Sequence, residues 1–354
     1  MHTLSWLNPM RQLATIERIL SSQPVPNADA LDVVQVRGWR VVTKRNEFQS
    51  GDLAVYFEID SFLPVRPEFE FLRSSSFKRM GEEEGFRLKT IKLRKQISQG
   101  LVLPVATFPE LADQTWSVGD DVTERLGVKK YEPPVPVSLS GLVKGAFPGD
   151  IPKTDQERIQ NLWADYSKAF AEVAFEETVK LDGTSMTVYV RDGEVGVCSR
   201  NLDLLCDHPD NPRNTLWKVA LKLGLLTVLP SLHRNLALQG ELIGPAIQKN
   251  NEKLTKPDWF VFDVWDIDQQ RYFSASERQS FIQQLGLNHV PILSNSIQVF
   301  REFSSLEELL AHADGPSLNT QARREGLVYK SVELVDGEII TFKTISNRWL
   351  LKNG

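Results

Sequence analysis

Between residues 13 and about 126 the apolar positions come in short, turn-bounded runs. Val33-Val34-Gln35-Val36-Arg37, Trp39-Arg40-Val41-Val42 and Leu53-Ala54-Val55-Tyr56-Phe57-Glu58-Ile59 are rich in β-branched and aromatic residues. Gly38, Ser50-Gly51-Asp52 and Pro64 punctuate them. With residues 101–104 and Asp121-Val122-Thr123 they predict a small all-β barrel of about five strands. The run from Arg87 to Lys95 carries five basic residues and no acid. From Ile91 it alternates apolar and basic, which predicts a half-buried strand with Lys92, Arg94 and Lys95 outside and the apolar positions in the core. A solvated edge strand guarded by its lysines gives the same pattern.

Prolines and glycines then interrupt the chain. Tyr131-Glu132-Pro133-Pro134-Val135-Pro136, followed by Ser138, Ser140, Gly141, Gly145 and Pro148-Gly149, reads as a linker within residues 127–153. Thr154, with Glu157 at the capping-box offset, predicts a helix opening a second domain, residues 154–354. Here strands and helices mix. A strand over 171–179 leads into Lys180. Met186 to Val190 alternates, Arg191-Asp192-Gly193 turns the chain, and residues 195–199 return antiparallel. Leu216, Val219, Ala220 and Leu223 keep helical spacing. Ser305 with Glu308 opens another helix. Residues 259–266 and 339–345 read as strands. The expected class is α+β: an all-β barrel (residues 1–126), then an antiparallel-sheet domain.

A length of 354 residues suits two domains with a core each. No apolar run approaches the roughly 20 residues of a membrane span, and the N-terminus lacks the pattern of a signal peptide. Cys198 and Cys206 are the only cysteines, which excludes a disulfide framework or a cysteine metal cluster and makes a reducing cytoplasm the simplest address. The five histidines have no metal-ligand spacing. A net charge of −5 argues against a generally basic nucleic-acid coat, so local basic runs carry more weight.

The candidate chemistry lies in the second domain. Lys180-Leu181-Asp182-Gly183 is followed in order by Glu241 in Gln-Gly-Glu-Leu-Ile-Gly, Glu325 in Glu-Gly-Leu-Val-Tyr-Lys and Lys343 in Thr-Phe-Lys-Thr-Ile-Ser. A lysine nucleophile must shed its proton, which a bound cation and nearby basic groups promote. Asp182, Glu241 and Glu325 offer an oxygen-rich pocket for Mg²⁺ or Mn²⁺, directly or through water. Gly183 lets the backbone pass close to a phosphate. Arg158, Arg200 and Lys343 are candidates to hold triphosphate oxygens, and Phe262 to stack on a purine. Singly, each has a plainer reading: strand-end carboxylates paired with lysines, surface arginines, a core aromatic.

This ordered set resembles the covalent nucleotidyltransferases, the ATP-dependent ligases and mRNA capping enzymes, and most of all the RNA ligases with an N-terminal OB domain. The segment from Thr154 to Asn161, the approach Glu177-Thr178-Val179-Lys180 and the junction Gly127-Val128-Lys129-Lys130-Tyr131-Glu132-Pro133-Pro134 are similar to theirs. Ala14-Thr15-Ile16-Glu17 and Pro26-Asn27-Ala28-Asp29-Ala30-Leu31 resemble OB barrels that bind tRNA. The resemblance implies an ATP-dependent RNA ligase that works through lysyl-AMP on Lys180 and an adenylylated 5′-end to seal nicked RNA-containing duplexes in RNA repair. It implies a metal held by Asp182, Glu241 and Glu325 through water, and phosphate contacts from Arg158, Arg200 and Lys343. It also implies a nucleotide pocket formed by Glu177, Thr178, Val179, Phe262 and Val328, and a monomeric protein. Many relatives carry a second lysine two residues after the first in the last motif; here that position is Ile345. A DNA ligase or a guanylyltransferase is the neighbouring expectation, although both normally carry a C-terminal OB domain. An RNA-binding OB protein with a degenerate ligase domain would have lost catalytic residues, and the five principal ones are present.

Overall fold

The computed structural model describes residues 11–132 and 142–353; the heart of the expected linker, residues 133–141, and the N-terminal segment 1–10 lie outside the described residues. The chain divides into two compact units. One comprises Met1–Pro134, Glu157–Ala169 and Asn347–Gly354; the other comprises Val135–Gln156 and Phe170–Ser346.

In the first unit, strands β1 (Ala14–Pro24), β2 (Leu31–Val36), β3 (Trp39–Lys44) and β4 (Leu53–Phe57) follow the apolar runs. Next come β5 (Ser61–Pro64), β6 (Phe77–Met80), β7 (Glu83–Arg87), β8 (Thr90–Leu93), β9 (Gln96–Gln99), β10 (Leu101–Pro104) and β11 (Lys129–Lys130). An antiparallel sheet of five strands runs β10-β4-β1-β2-β3, and a bulge near Ile19 curls it. Alternate residues of β2 and β3 point into a core that contains Val34, Val36, Trp39 and Val41. Residues 121–123 add no strand. Asp121 accepts from the Thr123 amide at 2.9 Å, and this local turn leaves a single bridge to Thr15. A second sheet, β11-β5-β7-β6, escaped the pattern reading.

The basic run is also corrected. Arg87 ends β7 and stands over the Tyr131 ring, while β8 and β9 form a separate two-stranded hairpin. Ile91 and Leu93 are 46% and 38% exposed, so β8 does not bury its apolar side. The expected helix starts at Ile159 and spans Ile159–Ala169; Thr154 lies in an extended segment before it. This helix belongs to the first unit, where Trp39 Nε1 donates to Asn161 Oδ1 at 2.6 Å. So does the final helix, Asn347–Asn353, which packs on β8 and accepts from Gln99 through Asn347 at 3.2 Å.

The second unit contains β12 (Val143–Ala146), β13 (Phe175–Lys180), β14 (Thr184–Arg191), β15 (Glu194–Cys198), β16 (Leu202–Leu204) and β17 (Leu236–Ile243). It continues with β18 (Asp258–Asp266), β19 (Arg271–Tyr272), β20 (Asn288–His289), β21 (Ile292–Ile297), β22 (Gly326–Ser331) and β23 (Thr341–Ile345). One sheet runs β12-β16-β15-β14-β17-β18-β19, with β20 parallel to β18. Met186, Val188, Val190, Leu238 and Val261 line its buried face. The helix Thr215–Lys222 covers that face with Leu216, Trp217 and Val219, and is capped by Asn214, whose side chain accepts from the amides of Leu216 and Trp217. The other sheet runs β21-β13-β22-β23 and carries the candidate nucleophile. Asp192 and Gly193 both have positive φ, as the predicted tight turn requires. No helix among the described residues is long and apolar enough to cross a membrane.

Candidate active site

Lys180 is the last residue of β13 and lies opposite Gly326, the first residue of β22. Glu325 precedes that glycine. This register brings the two side chains together: Lys180 Nζ donates to Glu325 Oε2 at 2.8 Å. Gly326 permits the approach of β23, because a Cβ there would meet the Thr344 carbonyl at 2.0 Å.

After Lys180 the chain crosses to the larger sheet. Gly183 presses against β17, where a Cβ would meet Leu242 O at 2.3 Å. Its amide donates to Glu241 Oε1 at 3.0 Å. The glycine therefore serves the contact between Lys180-Leu181-Asp182-Gly183 and β17, a reason for its presence beyond closeness to a phosphate. Asp182 accepts from Asn251 Nδ2 at 2.6 Å.

Three carboxylates thus surround one ammonium. Burial alone would lower the Lys180 pKa, but the charges of Glu325, Glu241 and Asp182 outweigh it and raise it above the ordinary value. Burial pushes Glu241 up to about 7, opposed by Lys180 and reinforced by Glu325. Burial, with the charge of Glu325, likewise pushes Asp182 up to about 6. The group carries excess negative charge that a cation would relieve. Among the described residues no three His, Cys, Asp or Glu side chains converge closely enough to ligate an ion directly. Carboxylates so arranged fit a hard divalent cation that keeps its waters.

The smaller sheet aligns further candidates. Thr178, Val328 and Lys343 lie opposite one another on β13, β22 and β23. The next row is Lys180, Gly326 and Ile345. Directly opposed residues share a face, as do residues two apart, so Lys180, Thr178, Val328 and Lys343 face the same way. Ile345 is buried, 2% exposed. Phe262 occupies a bulge of β18, between the paired Val261 and Asp263, and packs beside the cluster of Val179, Leu181, Ile243 and Phe260.

Glu177 is not brought to this group. It pairs with Tyr329 on the opposite face, and both its carboxylate oxygens lie 3.1 Å from His312 Nε2. Arg200 makes a two-pronged pair with Asp155 at 2.8 and 2.9 Å. Arg158 belongs to the first unit, 7% exposed, and donates to Asp60 at 3.2 Å. Lys92, Arg94 and Lys95 are exposed on the β8–β9 hairpin of that unit.

Further along the same face lies a buried charge network outside the sequence motifs. Lys330 Nζ donates to Asp263 Oδ1 at 2.6 Å and to the Phe262 carbonyl at 2.8 Å, and stands 5.6 Å from the centre of the Phe262 ring. Arg278 donates to Glu176 and, at 3.1 Å, to His289 Nε2. The signal was available: Lys330 follows Gly326 and Val328 at strand spacing, and Asp263 follows Phe262.

Residues 13–105 match an OB-fold domain family and residues 173–345 match the RNA ligase family. No curated protein matches the chain in a sequence search. Among solved structures the chain is similar to the RNA ligase of Naegleria gruberi with PPi, at 45% identity and a TM-score of 0.87, covering 97% of this chain and 99% of that one. It is equally similar to a lysine-to-methionine mutant of that ligase with AMP and Mn, at 45% identity, a TM-score of 0.87 and the same coverage. A glutamate-to-alanine mutant with ATP and Mn gives 45% identity and a TM-score of 0.86, again over 97% and 99% of the two chains. With an OB-type unit ahead of a two-sheet unit that sets a lysine among three carboxylates, the chain belongs to the RNA ligase family.

Proposed function

We propose that this RNA ligase uses ATP to seal 5′-phosphate/3′-OH nicks in RNA-containing duplexes, as a monomer in cytoplasmic RNA repair. The observation that carries the reading is the contact of Lys180 with Glu325 at 2.8 Å, flanked by Asp182 and Glu241. The Naegleria ligase, crystallised with ATP and Mn, supports ATP and Mn²⁺ or Mg²⁺ as the cofactors.

At rest Lys180 is an ammonium, so the amine becomes nucleophilic only when its proton leaves; Glu325, hydrogen-bonded to Nζ, is the acceptor at hand. The Nζ–Pα bond then forms as the bond from Pα to pyrophosphate breaks. Lys343 and Arg200 bind phosphate oxygens. Phe262 and Val328 clasp the base, with Thr178 beneath it. A 5′-phosphate oxygen next attacks Pα, the P–N bond breaks and Lys180 regains a proton. Finally the 3′-OH attacks the 5′-phosphorus and AMP leaves. Asp182, Glu241 and Glu325 would hold the divalent cation through its waters. When bound, that cation neutralises phosphate charge and lowers the Lys180 pKa. The barrel, residues 1–126, carries the duplex through Lys92, Arg94 and Lys95.

Incubation with α-labelled ATP and Mn²⁺ should leave AMP bound to the denatured protein, and Lys180→Ala should leave none. Label from GTP alone would favour a guanylyltransferase; label from neither would favour a binding protein.

A further inference from the structure

The loop between β17 and β18, residues 244–257, lies within the second unit and reaches the Lys180 centre. Two adjacent residues make the link. Asn251 Nδ2 donates to Asp182 Oδ2 at 2.6 Å. Glu252, 5% exposed, accepts from the Ser317 hydroxyl and, at 2.6 Å, from the Asn319 amide. Asn319 Nδ2 donates in turn to the Glu252 carbonyl at 3.3 Å. Ser317 and Asn319 belong to a hairpin closed by a bridge between Pro316 and Arg323. Its returning arm runs straight into Glu325. Asn251 and Glu252 thus tie one carboxylate of the group to the approach of another.

The loop is built to hold one shape. It folds through three successive turns, in which the amides of Ile247, Asn250 and Lys253 donate to the carbonyls of Gly244, Ile247 and Asn250. The Asn250 side chain bonds Leu254 in both directions, and Ile247 is anchored in the main core. Ala246, Gln248, Asn250 and Lys253 all have φ between 44° and 62°. Side chains other than asparagine and aspartate seldom adopt that conformation, and strain of this kind persists where the surroundings enforce it. An ionised carboxylate only accepts, so the Asn251 carboxamide turns its NH₂ to Asp182. That bond fixes the rotation of the carboxylate. A cation held through its waters sits where the carboxylates stand, so the groups behind them set its place.

We propose that Asn251 is a positioning residue for the divalent cation: braced through Glu252 against the hairpin that ends in Glu325, it holds Asp182 in place relative to Glu325. The inference rests on the ligase reading above. Asn251 acts through Asp182 and touches neither nucleotide nor cation itself.

Asn251→Leu keeps the bulk of the side chain and loses its donor. It is compared with wild type, with Asp182→Asn and with the double variant; Asn251→Ala replaces it throughout if it does not fold. Two quantities are read. One is Mn²⁺ binding to the nucleotide-free protein at pH 8, from the electron paramagnetic resonance signal of the free ion. The other is AMP transfer from ATP to Lys180 as Mn²⁺ is varied. Asn251→Leu should weaken Mn²⁺ binding about tenfold or more and raise the Mn²⁺ needed for half-maximal transfer by a similar factor. Added to Asp182→Asn it should cost little further, because the two residues act as one unit. Asn251→Gln, which keeps a donor, should recover part of the loss. Equal Mn²⁺ binding in wild type and Asn251→Leu overturns the inference. So does an equal cost of Asn251→Leu with and without the Asp182 carboxylate, the mark of a role in loop structure alone. Failure of wild type to take AMP from ATP removes the ligase reading and this inference with it. Transfer whose Mn²⁺ dependence Asn251→Leu does not move removes the inference alone.

Discussion

Lys180 Nζ and Glu325 Oε2 lie 2.8 Å apart, joining the end of β13 to the residue that opens β22. The bond holds the nucleophile in place and keeps it protonated. Glu325 is the strongest of the influences that raise the Lys180 pKa. Removing its charge in Glu325→Gln, without ATP or metal, should move the modification of Lys180 by an amine-selective reagent to lower pH, read by peptide mass spectrometry. AMP transfer to the same lysine should fall roughly 10²-fold or more, the scale for losing an oriented electrostatic group. An unchanged pH profile would show that Glu325 does not control the ammonium.

The raised carboxylates set a pH dependence of stability. Glu241 titrates at about 7 against an ordinary 4.5, so the folded chain holds a proton that the unfolded chain has already released. Unfolding releases protons across that window, and stability falls as pH rises from about 4.5 to 7, then levels off. Asp182 acts in the same sense between 3.8 and about 6. Glu241→Gln has no such proton to lose. In metal-free thermal melts the variant should gain on wild type between pH 5 and pH 8. Mn²⁺ at pH 8 should raise the wild-type melting temperature more than that of the variant. A gap that stays constant with pH would contradict the assignment.

The legible part of the site is the part written at strand spacing. Lys180 and Thr178, or Val328 and Gly326, are two apart and stay together when the strands pair. Glu177 was grouped with Lys180 because they are neighbours in a short motif, yet an odd offset sends its side chain to the other face, to His312. Ile345 is even in spacing and in the nucleophile's own row, but it is buried. The curl and extra sheet of the first unit, and the return of the final helix to it, depend on long-range pairing that periodicity does not encode.

The network behind Phe262 predicts a stability cost. Glu176, Arg278, Asp263 and Lys330 are all less than a tenth exposed. His289 donates its Nδ1 proton to the Val290 carbonyl at 2.6 Å and so presents Nε2 to Arg278 as an acceptor; burial and Arg278 hold its pKa below the ordinary value. Removing one member strands a buried charge, at a cost of about 3–5 kcal/mol. Arg278→Met should lower the unfolding free energy in urea by about that amount. Lys330→Met should do the same and also weaken ATP binding, since Lys330 ties down the bulge that carries Phe262. A loss below about 1 kcal/mol in both would mean that the network is dispensable.

The β8–β9 hairpin turns through Arg94 and Lys95, with φ of 47° and 71°. Two consecutive left-handed residues suit a tight hairpin turn, where Asn-Gly is favoured. For other residues each costs roughly 1–2 kcal/mol. A chain that accepts this to place two cations at an exposed tip, beside Lys92, gains something other than stability. If the gain is phosphate binding, Arg94→Asn with Lys95→Gly should stabilise the first unit while weakening affinity for a nicked RNA duplex. Adding Lys92→Ser should lower the slope of log affinity against log salt by up to about 3 units, one per lost contact. Affinity is measured by titration at several salt concentrations, with AMP transfer to Lys180 as the internal reference. A triple variant with the wild-type slope would exclude the hairpin from the duplex and leave the turn's strain without a function.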